Sequence, residues 1–391
     1  MSETTGAQER LRGAARSLER AHQQLSAEAR TELIESYAGE WFLDNYYLVR
    51  AAVRQVEQDL PPAFYRKLPV DAGTPGGAPH VYRLATRLVT ESGARLDLAW
   101  VEEQVREYQR GRVLSMGELW ALPAMLRLVV VERLAESMSR ITQGERVTQG
   151  GGSATGRSAG PEATRRQAPV AASDDEQVAN CVVSLRALRH QDWKVFFERL
   201  SLVERVLRAE PTGHYRRMDF PTRDRYRKAV ERLAAGADRP EAEVAAAAVD
   251  LARDHMAGAV AEANAAKSGA ATSHAATRRA HVGYYLVGPG AGLLMQRVGY
   301  RQPAFEQLGA ALFGRPSLVY LGSVGLLTLV LLAIGERHAA WGGAGVWQQL
   351  LVLLVLAIPA VSIAVGLVNL VLGYVLKPRP LPKLDLSEGV P

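Results

Sequence analysis

The chain comprises 391 residues with a formal net charge of +6 and 48% hydrophobic content, a length that suits roughly two or three domains. Its pI is near 9.4, yet arginines alternate with glutamates from Arg10 to Glu40 and from Glu198 to Arg208, as on solvated helix faces. No compact basic block and no zinc-finger spacing is present, which argues against nucleic acid as a partner, and the single cysteine, Cys181, excludes an internal disulfide.

The patterning predicts an all-α protein: two helical cytosolic blocks joined by a flexible linker, then a two-helix transmembrane hairpin. Residues 1–40 read as a polar N-terminal helix whose thin stripe of Leu11, Leu18, Leu25 and Leu33 implies loose packing. The first block, residues 41–141, begins with an amphipathic helix from Trp41 that Pro61-Pro62 must stop. Two further helices are expected over Val81–Thr90 and Leu98–Arg110. Ser115-Met-Gly-Glu118 has the spacing of a capping box, opening a helix through Leu119, Leu122, Met125, Leu126, Val129, Val130 and Leu134. Residues 142–173 are rich in Gly, Ser, Thr and Ala and form the expected linker.

The second block, residues 174–257, is expected to hold helices over Val178–Leu188, Trp193–Leu207, Arg223–Ala234 and Glu241–Ala257. Thr222 is the expected cap of the third, and Asp238 with Glu241 of the fourth. An Ala-rich linker, residues 258–277, and a membrane-proximal segment, residues 278–315, follow.

Two apolar runs close the sequence, Ser317–Gly335 and Val346–Leu376, and neither contains Asp, Glu, Lys or Arg. About 20 apolar residues of helix cross a hydrocarbon core, so residues 316–376 are read as a hairpin with spans at about 317–335 and 350–374. Arg337 is the sole Lys or Arg of the Glu336–Gly345 loop, whereas Arg315, Lys377, Arg379 and Lys383 flank the runs. The positive-inside rule then places both flanks, and both termini, in the cytosol. The N-terminal stretch has no apolar core, so no signal peptide is expected. Residues 377–391 make a basic cytosolic connector. Gly322 and Gly325 in the first span, and Ala360, Ser362, Ala364 and Gly366 in the second, offer small faces for helix packing, with Asn369 as a polar contact across helices.

Several longer stretches resemble the N-terminal region of bacterial cyclic β-1,2-glucan synthases (glycosyltransferase family 84-type). They include Trp41-Phe-Leu-Asp-Asn-Tyr-Tyr-Leu-Val, Asp59-Leu-Pro-Pro-Ala-Phe-Tyr-Arg-Lys-Leu-Pro and Ser115-Met-Gly-Glu-Leu-Trp-Ala-Leu-Pro. Met218-Asp-Phe-Pro-Thr-Arg-Asp-Arg-Tyr-Arg, Ala280-His-Val-Gly-Tyr-Tyr-Leu and Arg379-Pro-Leu-Pro-Lys-Leu-Asp-Leu-Ser-Glu-Gly-Val-Pro extend the likeness over most of Trp41 to Pro391. The resemblance implies a multi-pass protein of the bacterial inner membrane. It further implies UDP-glucose-dependent glucan synthesis, with UDP-glucose and a divalent metal used by a catalytic domain that continues beyond the matching stretch.

The residues of that chemistry are absent from this sequence. No two aspartates stand two positions apart, so the Asp-x-Asp that holds the metal at a diphosphate leaving group is missing. No tryptophan follows an arginine, which removes the Gln-x-x-Arg-Trp pattern of processive synthases. His80, His190, His214, His255, His274, His281 and His338 lack ligand spacing. Cys181 reads as a structural thiol, Glu118 as a helix cap, and Arg223–Arg227 as a helix start with surface ion pairs. No catalytic, cofactor-binding or metal residue is therefore assigned. The expected role is the membrane-anchoring, non-catalytic portion of a cyclic β-1,2-glucan synthase-like glycosyltransferase. Its expected partners are the lipid bilayer, a separate or downstream transferase domain and further transmembrane helices. The alternative is a membrane-anchored helical scaffold that binds a protein partner and is unrelated to glucan synthesis.

Overall fold

The computed structural model describes residues 6–29, 37–70, 77–150, 173–265, 278–303, 307, 314–375 and 381–385. Among them the fold is helical throughout, with only two isolated β-bridges and no strand. The chain divides into two compact units. The first takes residues 1–213 and 241–282, and the second residues 214–240 and 283–391.

In the first unit, α1 (Gly6–Ala29), α2 (Tyr37–Asp59), α4 (His80–Glu91) and α7 (Asp174–His190) surround α6 (Met116–Gly150). The reason lies in the composition of α6. Ala121, Leu122, Ala124, Met125, Leu126, Leu128, Val129, Val130 and Val131 are all buried. A helix that is apolar on every side must be covered on every side. The short helix α3 (Pro62–Tyr65) and the helices α5 (Leu98–Gly111), α8 (Trp193–Leu200), α9 (Leu202–Leu207) and α11 (Glu241–Ala265) complete the unit.

The expected loose packing of the first helix is corrected. Leu11, Leu18 and Leu25 are buried against the core, and the alanines Ala7, Ala14 and Ala21 interleave between them. Small residues at that spacing let α1 approach α6 closely, so a thin stripe suffices. Leu33 lies outside the described residues. Arg10 adds a polar tie: its guanidinium stacks on the Tyr82 ring at 4.3 Å and pairs with Glu132 at 3.4 Å, while the Tyr82 hydroxyl donates to Glu132 at 2.8 Å.

The contact pattern crosses the boundaries expected between blocks. Helix α7 packs on α2 and α6, and the Ser184 hydroxyl donates to Ala94 O (2.7 Å) while accepting the Leu96 N–H (2.8 Å). Helix α6 runs on to Gly150, into the stretch expected as linker, and residues 151–172 lie outside the described residues. Helix α11 likewise continues to Ala265, past the expected Ala257.

Helix caps explain the remaining boundaries. Ser115 and Glu118 form the reciprocal pair expected: Ser115 N–H donates to Glu118 Oε2 (2.9 Å) and Glu118 N–H to Ser115 Oγ (3.2 Å). The expected continuous helix over Trp193–Leu207 is instead broken at Ser201, which ends α8 and caps α9 by accepting the Glu204 N–H at 3.2 Å. The first turn of α6 is also held from a distance, since Met116 N–H donates to Glu241 Oε2 at 2.8 Å. Glu241, at the start of α11, thus ties its own helix to the start of α6.

Candidate functional site

The second unit carries the hairpin. It consists of η1 (Tyr215–Arg217), α10 (Phe220–Ala237), α12 (Val282–Leu286), α13 (Ala291–Val298), α14 (Pro316–Trp341) and α15 (Val346–Val375). At 1.5 Å rise per residue, α14 and α15 are about 39 and 45 Å long. Their mean hydropathies over the most apolar stretch are 2.3 and 2.9, and protein covers none of that stretch in α14 and 11% in α15. Both are long and apolar enough to cross a membrane. Their leucines, isoleucines and valines, such as Leu321, Leu326, Leu354, Val355 and Ile358, face outward. Surfaces of this kind are compatible with a lipid bilayer as solvent.

The loop between the spans is shorter than expected. Glu336, Arg337 and His338 extend α14 to Trp341, leaving only Gly342–Gly345 to turn the chain. Gly343 has φ +76°, a left-handed conformation that glycine adopts without strain. Trp341 and Trp347 flank the turn and are fully outward.

The helices α14 and α15 pack antiparallel. Two contacts fix their register. A Cβ on Gly335 would collide with Leu356 Cδ2, so the leucine packs directly on the α14 backbone. Towards the other end the Tyr320 hydroxyl donates to Asn369 Oδ1 at 3.4 Å. Ala360 and Ala364 are the buried residues of α15, one turn apart on the face turned to α14.

The other small residues expected to pack lie elsewhere. Gly322, Gly325 and Gly366 have nothing within 4 Å of where a Cβ would sit. Ser362 faces outward and returns its hydroxyl to Ile358 O at 3.1 Å. Sequence reasoning missed Gly335, because a glycine near the end of an apolar run carries no signal of what it faces.

The base of the hairpin is organised by α10. Its cap is Asp219 and not Thr222: the Asp219 carboxylate accepts the Thr222 N–H at 3.0 Å. The Thr222 hydroxyl is turned instead to the connector, accepting the Lys383 N–H at 3.1 Å. Asp219 N–H donates to Lys383 O (3.1 Å), Asp385 N–H to Arg217 O (2.8 Å), and Met218 and Leu384 form an antiparallel bridge. At the opposite end, Arg301 N–H donates to Gly236 O at 3.1 Å. A Cβ on Gly236 would collide with the Cε2 edge of the Tyr300 ring. Asp238 then closes the helix in the left-handed region, φ 51° and ψ 48°. One helix therefore holds the segment before the first span at one end and the segment after the second span at the other.

The Arg223–Arg227 run does not form one surface. Tyr226 and Arg227 are buried, with Arg227 over the Phe220 ring at 4.6 Å and 3.6 Å from Asp224, while Lys228 pairs with Asp224 at 2.8 Å. Of the charges expected to set topology, Arg315 precedes α14, Lys383 sits in the connector, and Lys377 and Arg379 lie outside the described residues. Among the described residues no three His, Cys, Asp or Glu side chains converge as a metal site. Cys181 is buried, and burial pushes its thiol up to about 12, far from the range of a nucleophile.

No family model matches the chain. One curated protein does: cyclic beta-(1,2)-glucan synthase NdvB of Rhizobium meliloti (strain 1021), 25% identical over 410 aligned positions. The alignment takes in 90% of this chain and 14% of NdvB. The chain is a distant relative of that protein and spans a small part of its length.

Proposed function

We propose that this chain is a membrane-anchoring, non-catalytic component of a glucan synthase-related system. The observation that carries the reading is the alignment to NdvB, which extends over nine-tenths of the chain, the greater part of both units, and is not confined to one motif. The outward apolar surfaces of α14 and α15 support insertion as two spans. The ties of both flanking segments to α10 support a hairpin whose ends lie on one side, the cytosolic side of a bacterial inner membrane, with the Gly342–Gly345 turn outside.

Glucosyl transfer from UDP-glucose, with its divalent metal, is assigned to a separate polypeptide or domain, because the Asp-x-Asp and Gln-x-x-Arg-Trp residues do not occur here. Gly322, Gly325 and Gly366 form open notches that suit close approach by further transmembrane helices.

The test is removal of this chain from its native membranes, followed by incubation with labelled UDP-glucose. Loss of labelled glucan, restored by supplying the chain in trans, is the expected result. Unchanged synthesis would sink the glucan reading and leave a membrane scaffold. Glucan made by membranes holding this chain alone would overturn the non-catalytic assignment.

A further inference from the structure

Helices α2, α6 and α7 of the first unit enclose a half-open cavity of about 240 Å³. Its polar lining is Arg54, Gln55 and Gln58 from α2, Arg127 from α6 and Arg189 from α7. No carboxylate lines it.

Arg127 is the buried anchor. It donates to Leu188 O at 3.0 Å, lies 3.6 Å from Asp59 and sits over the Trp193 ring at 5.6 Å. Asp59 is its sole charged partner among the described residues, and it is partly exposed. Burial holds the Arg127 guanidinium below its usual range, and the Asp59 carboxylate opposes that shift. Arg54 and Arg189 are exposed at the rim, and neither meets a carboxylate within ion-pair distance among the described residues.

We propose that this cavity binds the phosphate monoester of a short, water-soluble polyol. Three guanidinium groups against one carboxylate leave two positive charges, the complement of a phosphate dianion. Guanidinium forks match phosphate oxygens in pairs, which a lysine cluster does not. The Gln55 amide donates to Asp59 Oδ2 at 3.2 Å, which leaves its carbonyl as an acceptor, and the Gln58 amide supplies both donors and an acceptor for hydroxyl groups. The cavity falls below the roughly 300–1,000 Å³ of clefts for drug-sized ligands, so a nucleotide sugar exceeds it.

The experiment is calorimetric titration of the full chain in neutral detergent with glycerol phosphate, with glycerol as control. Arg54→Gln and Arg189→Gln, both at exposed positions, are each expected to weaken binding at least about tenfold while melting as the parent does. Arg20→Gln, on the exposed face of α1, is expected to change nothing. The inference is overturned if both rim variants bind like the parent, if Arg20→Gln weakens binding equally, or if glycerol binds as well as its phosphate. Binding seen only with phosphatidate-containing micelles would also overturn it, by moving the ligand to the lipid.

Discussion

The Thr222 hydroxyl accepts the backbone N–H of Lys383, a residue 161 positions later in the chain. This bond joins the first turn of α10 to the segment that leaves the hairpin. Thr222→Val keeps the shape and removes the acceptor. A hydrogen bond of this kind contributes about 1 kcal/mol, so amide exchange at Lys383 is expected to quicken several-fold, read by mass spectrometry. Exchange unchanged at Lys383 would remove the tie from the account.

Gly335 and Gly322 make a matched pair of tests. Gly335→Val drives a side chain into Leu356 and is expected to destabilise the hairpin by about 1–3 kcal/mol. Gly322→Val meets open space and is expected to leave the isolated chain unchanged. Thermal unfolding in detergent distinguishes them. If further helices dock on the notch, Gly322→Val gains an effect only when those helices are supplied.

Glu118 is buried and holds the start of α6 through Ser115, with Arg112 paired to its second oxygen at 3.0 Å. Glu118→Ala removes the cap and leaves the Arg112 guanidinium without that carboxylate. A loss of about 1–3 kcal/mol in urea unfolding is expected. Ser115→Ala, which spares the ion pair, is expected to cost less.

Alkaline pH should weaken the first unit. Burial raises the Cys181 thiol from 9.0 to about 12, and burial, aided by Glu132, raises the Tyr82 phenol from 10.0 to about 12. Both groups hold their protons more tightly folded than unfolded. Their contribution is therefore complete below about pH 9 and is lost as pH rises through about 12. Urea midpoints measured across that interval should fall, and Cys181→Ala should flatten the fall. At neutral pH the native thiol should resist alkylation and react once the chain is unfolded.

The sequence announces what depends on composition and conceals what depends on partners. The hairpin is legible because uncharged runs of that length have few other solutions. The Ser115–Glu118 cap is legible because its partners are three residues apart. The break at Ser201 was not, since a serine between apolar residues reads equally as interior. The covering of α6 on all sides appears only when α1, α2, α4 and α7 are assembled. Arg54, Arg127 and Arg189 stand far apart in the chain and converge only because three helices place them around one cavity. Gly335 is silent for the same reason: its value lies in Leu356, a residue on the other helix.

The two-ended attachment of α10 has a consequence for cooperativity. The helix is about 27 Å long. Its first turn holds the Lys383 N–H and its last turn holds the Arg301 N–H. Unfolding α10 releases both at once, so these two amides, one on each flank of the hairpin, belong to a single opening unit.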